Sequence, residues 1–368
     1  MMDAAARHLS YVDDSVPGIS RRRRGRYWQY FDAAGNRVTD REEIDRLNGV
    51  GMPPAYQRCW FCPDPNGHIQ AIGYDDRGRK QYRYHPDFRA RQDGHKYERL
   101  AAFGRALSRL RRRIDKDLRG RSMRRNTVLA AVVRLIDVSH MRVGNEEYAK
   151  DNKSFGATTL RNRHAQVGNG KINITYAGKH GIKRTISIAD RRLARIAART
   201  QDLPGQHLFE YVEEDGSVCP VTSTDVNAYI REAMGEEFTA KDFRTWGASV
   251  IAFGEMAKRA GEAKPISLTS LIEPVAEALG NTVAISRKSY VHPALIEAAK
   301  DAGALGRRKL PRATKYLSAA ERGLIDFLDA LPKEQAKAKR KVAARARAKG
   351  KPKRAAAAEV AAGAGAGA

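Results

Sequence analysis

Five residues of this chain have the types and order that one reaction requires: Arg142, Lys179, Arg244, Asn281 and Tyr290. They stand in Met141-Arg142-Val143-Gly144-Asn145, Ala177-Gly178-Lys179-His180, Lys241-Asp242-Phe243-Arg244-Thr245, Leu279-Gly280-Asn281-Thr282 and Ser286-Arg287-Lys288-Ser289-Tyr290. A tyrosine phenol can attack a phosphodiester and hold the phosphoryl group as a covalent ester. The attack builds negative charge on the non-bridging oxygens, and the forked donors of a guanidinium match two such oxygens at once. The departing oxygen needs a proton, which a lysine ammonium can deliver. A tyrosine ordinarily ionises near pH 10, so the cations that bind the phosphate should also favour the phenolate. Because the ester conserves the energy of the broken linkage, resealing needs no nucleotide. The arginines supply positive charge, so neither a cofactor nor a metal is expected. Taken singly, each residue carries little weight, since most arginines are surface residues and most tyrosines near helix ends are packing. Order and local context together carry the reading.

These side chains need elements to position them. Gly168-Asn169-Gly170 is a turn, followed by an alternating run from Lys171 to Tyr176, a second turn at Gly178-Lys179-His180-Gly181, and alternation again from Ile182 to Ile188. That pattern predicts a three-stranded antiparallel sheet with Lys179 at an exposed hairpin tip. His164, just before the sheet, is expected to support it rather than react. Around the sheet the periodicity is helical. Leu100, Phe103, Leu107, Leu110, Ile114 and Leu118 line one face of a helix. Its other face carries Arg105, Arg109, Arg111, Arg112, Arg113 and Lys116, either simply solvated or facing phosphate. Thr127 to His140 is apolar almost all round and predicts a buried helix. Helices with loops are expected from Ala189 to about Ala302. Gly280 should end a helix that begins at Leu268, leaving Asn281 to open the turn into the tyrosine segment. Ala319 to Leu331 is one more amphipathic helix.

Upstream the character differs. Tyr27 to Phe31, His68 to Gly73 and Lys80 to Tyr84 read as strands, with Glu42 to Leu47 a short helix. The expected fold class is α+β, with a small β-rich N-terminal domain and a mainly helical catalytic domain containing the three-stranded sheet. In residue terms, 1–20 is a flexible lead, 21–86 the β-rich domain, 87–305 the catalytic domain, 306–332 a helical extension and 333–368 a disordered basic tail.

Of 368 residues, 68 are Lys or Arg against 42 Asp or Glu, a formal net charge of +26. Part of that excess lies in the Lys/Arg-rich stretch 333–354, but the remainder of the chain is also strongly basic. Such a bias points to a polyanionic partner bound with release of counterions. The tail is too poor in apolar bulk to fold alone and suits nonspecific nucleic-acid binding. Three cysteines, Cys59, Cys62 and Cys219, give no disulfide framework, and no apolar run is long enough to span a membrane. A cytoplasmic location is the expectation. Cys59, Cys62 and His68 invite a zinc reading, but no second ligand pair follows at finger spacing. Gly49 to Pro54 is a loop without the Lys-Ser/Thr of a phosphate cradle.

The chain resembles the small viral and bacterial branch of the type IB DNA topoisomerases over roughly residues 20–300. The resemblance rests on Arg-x-Gly at 142–144, Gly178-Lys179, Lys-Asp-Phe-Arg-Thr at 241–245 and the segment ending at Tyr290. It implies that Arg142 and Arg244 bind phosphate, that Lys179 is the general acid, and that Tyr290 becomes joined to a DNA 3′ end. It further implies that Tyr148 contacts DNA beside the cut, and that Gln81, Tyr82 and Tyr84 touch bases and backbone. A monomer clamped around duplex DNA would relax supercoils by letting the cut strand swivel. Many members carry histidine where this chain has Asn281, which can donate to an oxygen but cannot move a proton. Tyrosine recombinases share the catalytic fold but favour His-x-x-Arg, and the residue three before Arg244 is Lys241. A non-catalytic basic chromatin protein would explain the charge but leave the ordered set of Arg142, Lys179, Arg244 and Tyr290 without a purpose.

Overall fold

A computed structural model describes residues 9–235, 237–261, 267–300 and 310–331. Two compact units divide between Glu98 and Arg99. The first contains β1 (Ile19–Arg24), β2 (Tyr27–Phe31), α1 (Arg41–Gly49), β3 (Gln57–Phe61), β4 (Ile69–Tyr74), β5 (Lys80–Tyr84) and α2 (Pro86–Glu98). The strands form one antiparallel sheet in the order β2-β1-β3-β4-β5. Ile19, Tyr30, Leu47, Phe61 and Ala71 make its core, with the Tyr30 and Phe61 rings edge to face at 5.4 Å. Two of these strands escape the sequence reading. β1 begins inside the stretch expected to be a flexible lead, and its run Arg21 to Arg24 shows no apolar alternation. Arg21 is nevertheless held in place, 4.0 Å above the Trp28 ring and donating to the carbonyls of Met52, Pro53 and Tyr56. β3 hides its period because Arg58 takes a left-handed φ of 46° and the register shifts between Gln57 and Trp60. Cys59 and Cys62 are free thiols in and beside this strand.

The second unit runs α3 (Leu100–Asp117), α4 (Arg125–Ser139), α5 (Glu146–Asn152), β6 (Ala165–Gly168), β7 (Lys171–Ala177), β8 (Lys183–Ala189), α6 (Arg191–Gln201), β9 (Glu210–Val212), β10 (Val218–Pro220), α7 (Ser223–Met234), α8 (Ala240–Gly261), α9 (Leu268–Leu279), α10 (Val283–Ser289) and α11 (Pro293–Lys300). A further helix, α12, covers residues 319–331. The α+β class and the three-stranded antiparallel sheet, order β6-β7-β8, are as the alternation predicts. The small hairpin of β9 and β10 is an addition within the span expected to be helices and loops; at three residues each, its strands are too short to show a period.

α4 is the central rod. From Val128 to Val133 every side chain is buried, since α3, α6, α7 and α8 surround it. Four of the six cations on the basic side of α3 take structural partners. Arg105 pairs with Asp329, Arg113 with Asp117, Arg109 donates to the Met234 carbonyl, and Arg111 is drawn inward to Asp137 and Glu321. The tail at 333–368 lies outside the described residues. No helix among the described residues is long and apolar enough to cross a membrane.

Candidate active site

Arg142 lies on the loop between α4 and α5, and backbone contacts hold that loop from behind. Its carbonyl accepts from the Ala157 amide at 2.8 Å, and that of Val143 from Thr158 at 2.7 Å. A side chain at Gly156 would come within 2.6 Å of the Arg142 carbonyl oxygen and the Gly144 backbone, so the two segments pack as bare backbone. Asn145 then caps α5 through the Tyr148 amide, and Tyr148 stands exposed on its first turn.

Arg244 rises from the first turns of α8 into the interior, 4% exposed. It donates to the carbonyls of His140 and Leu279, which ties it both to the end of α4 and to the end of α9. Gly280 closes α9 in the left-handed conformation, as its sequence predicts. Arg184 of β8 braces the same end, donating to the carbonyls of Glu277 and Ala278. Asn281 follows, and its Oδ1 accepts from Arg142 Nη2 at 3.2 Å. Thr282 caps α10, at whose end Tyr290 sits. Ser249, fully buried on α8, holds the chain around the tyrosine: its hydroxyl donates to the Tyr290 carbonyl and accepts from the His292 amide.

The guanidinium carbon of Arg244 is 5.0 Å from the centre of the Tyr290 ring. A cavity of about 390 Å³ is lined by Arg142, Arg244, Tyr290, Tyr148 and Lys179, with Lys241 alongside. Lys179 reaches it from the turn between β7 and β8 and is exposed. Four of the five candidate residues therefore line one space, and Asn281 joins them through its bond to Arg142. Lys241 lines this space too; the sequence reading quoted it within Lys-Asp-Phe-Arg-Thr but gave it no role.

The electrostatics follow from this crowding. Burial pushes the Tyr290 phenol up, but the charges and hydrogen bonds of Arg244 and then Arg142 outweigh it and leave its pKa below the usual 10.0. Burial and the nearby Arg142 charge together lower the pKa of Arg244, against the pull of Tyr290 and Tyr176. An anion bound between Arg142 and Arg244 would relieve this repulsion. Arg244 Nε and Asn281 Nδ2 are buried donors without a hydrogen-bond acceptor among the described residues. Donors of this kind match the oxygens of a tetrahedral anion.

In the first unit, Tyr82 and Tyr84 project from the edge strand β5 on one face, both exposed, their rings stacked at 5.9 Å. Gln81 falls on the opposite face of the strand and donates to Asp75 at 3.2 Å. The structure thus separates Gln81 from the two tyrosines it neighbours in sequence. Cys62 is buried, and among the described residues no three His, Cys, Asp or Glu side chains gather as a metal cluster.

Residues 85–315 match the family described as eukaryotic DNA topoisomerase I, catalytic core, a span that stops short of α12. Residues 27–75 match the bacterial DNA topoisomerase IB N-terminal domain. The DNA topoisomerase 1B of Acanthamoeba polyphaga mimivirus is 33% identical over 77% of this chain and 88% of its own length. That of vaccinia virus (strain Copenhagen) is 23% identical over 62% and 72%. Among solved structures, a XerH site-specific recombinase bound to difH substrate is 19% identical, with a TM-score of 0.34 over 53% of this chain and 52% of that one. That likeness is too slight to argue from. The two family matches and the mimivirus relative suffice: this chain belongs to the type IB DNA topoisomerases and is a DNA topoisomerase.

Proposed function

We propose that Tyr290 carries out the strand cleavage, relaxing supercoiled duplex DNA without ATP or metal. The observation that carries this reading is the convergence of Arg142 and Arg244 on the Tyr290 phenol in a cavity that Lys179 also lines. In the forward step Tyr290, its phenolic proton lost to solvent under the influence of Arg244 and Arg142, attacks phosphorus as the phenolate, and the bond from phosphorus to the 5′ oxygen breaks. Lys179 protonates that oxygen, and the phosphoryl group remains as a 3′-phosphotyrosyl ester. After the free strand has turned, the 5′ hydroxyl attacks the ester, returns its proton to Lys179 and expels the phenolate. Arg142, Arg244 and the Asn281 amide hold the non-bridging oxygens throughout. Tyr148 beside the cavity and the exposed pair Tyr82 and Tyr84 are assigned to DNA contact, and the working unit is a monomer. The test is relaxation of supercoiled plasmid in EDTA without ATP; failure of the wild type to relax it, despite binding DNA, would transfer the assignment to a site-dependent strand exchanger.

Two further results are expected. Arg142→Ala and Arg244→Ala should each slow single-turnover cleavage by roughly 10²–10³-fold, about 2–4 kcal/mol of transition-state stabilisation. Arg244→Ala should also lower the Tm, because Arg244 ties the end of α4 to the end of α9. The cleavage rate should rise with pH with an apparent midpoint below 10.0, since the arginines depress the phenol pKa. Arg142→Ala removes a source of that depression, so its midpoint should move upwards. A midpoint that stays put would mean that Arg142 does not act on the nucleophile.

A further inference from the structure

α12 lies outside the span shared with the family's catalytic core, yet a carboxylate on it reaches into the middle of the unit. Glu321 serves first as the third residue of a capping box: its amide donates to Ser318 Oγ at 3.2 Å, while its carboxylate accepts from the Ser318 amide at 2.7 Å. The same carboxylate takes a fork from Arg111, at 2.8 Å and 3.0 Å, and the indole N–H of Trp246 at 3.2 Å. Arg111 makes a second fork to Asp137, both contacts at 2.8 Å. All four are largely withdrawn from water; Glu321 is 7% exposed, Asp137 6% and Trp246 2%.

Each end of this network meets an anchor of Arg244. Trp246 stands two residues beyond Arg244 on α8. Asp137 stands three residues before His140, whose carbonyl accepts from Arg244. His140 closes α4 in the left-handed conformation, with its ring against Gly247, where a Cβ would come within 2.5 Å of it. Docking of α12 does not require the network, because Leu324, Ile325, Phe327 and Leu328 already bury that helix. A buried ion network adds little net stability over apolar packing, but it imposes a particular geometry.

We propose that Glu321 and Arg111 are positioning residues for strand cleavage, through which α12 holds Arg244 in register with Tyr290. This rests on the reading of Tyr290 as nucleophile. The test uses the full chain, a duplex with a cleavable suicide strand for single-turnover rates, and the same duplex for Kd. Glu321→Gln keeps shape and loses charge; Arg111→Lys keeps charge and loses the fork; Ile325→Ala weakens the packing of α12 and leaves the network in place. Glu321→Gln and Arg111→Lys should each slow covalent adduct formation about tenfold to a hundredfold, the scale of a small misplacement of a reacting group, with Kd nearly unchanged. Ile325→Ala should lower the Tm yet cleave at the wild-type rate. A wild-type rate in Glu321→Gln would overturn the proposal, as would an equal slowing in Ile325→Ala, which would mark the effect as general loosening. If Glu321→Gln fails to fold, Arg111→Lys decides by the same criterion. Absence of any covalent adduct in the wild type would overturn the reading of Tyr290 instead, a result visible without the variants.

Discussion

Tyr290→Phe is expected to lose relaxation and covalent adduct together, a fall of roughly 10⁴-fold or more in single-turnover cleavage, on the scale of deleting a catalytic nucleophile. The substitution removes one oxygen. The ring keeps its place beside Arg244, and the Ser249 contacts, made to the backbone around residue 290, are untouched. Folding and DNA affinity should therefore survive, and the loss should fall on the chemical step alone. Denaturing electrophoresis of end-labelled duplex reads this directly: wild type retards the labelled strand, and the variant leaves it free. A retarded band in Tyr290→Phe would mean that another side chain forms the ester.

Lys179→Ala should come next in size, slowing cleavage by about 10²–10⁴-fold, the range for loss of general acid catalysis. Lys179 is exposed on a turn, and among the described residues its side chain braces no other element in the way that Arg244 does. The deficit should thus appear without a change in Tm. Its origin can be separated from lost binding by replacing the bridging 5′ oxygen with sulfur, a leaving group that needs no proton. Lys179→Ala should cleave that substrate at nearly the wild-type rate, whereas Arg244→Ala should remain slow, since its part is to stabilise the non-bridging oxygens. An equally slow Lys179→Ala reaction with the sulfur substrate would assign the lysine to binding.

Much of the catalytic unit was legible in the sequence because its signals are local. The turn glycines and strict alternation from Lys171 to Ile188 define a hairpin whatever surrounds it, and Gly280 marks a helix end by its own conformation. The same holds for the motifs around Arg142, Arg244 and Tyr290. What stayed hidden depends on tertiary partners. β1 is four arginines following Ile19 and Ser20, and only its pairing with β2 and β3 makes it a strand. The arginines of α3 look alike in sequence, yet Arg111 turns inward because Asp137 and Glu321, distant in the chain, converge on it. Gln81 and Tyr82 are adjacent letters, and the pleat sends them to opposite faces.

Ser249 fastens the backbone on either side of Val291 to the helix that also carries Arg244. On the proposed reading, nucleophile and phosphate-binding arginine thus share one mount. If the broken strand spins as proposed, the tethered phosphate would stay at the coordinates where it was made, so the bearing would lie in the nucleic acid and the protein would act as the fixed housing. Fidelity of resealing would then become a matter of waiting: the moving end alone would have to return, to a join that has never shifted.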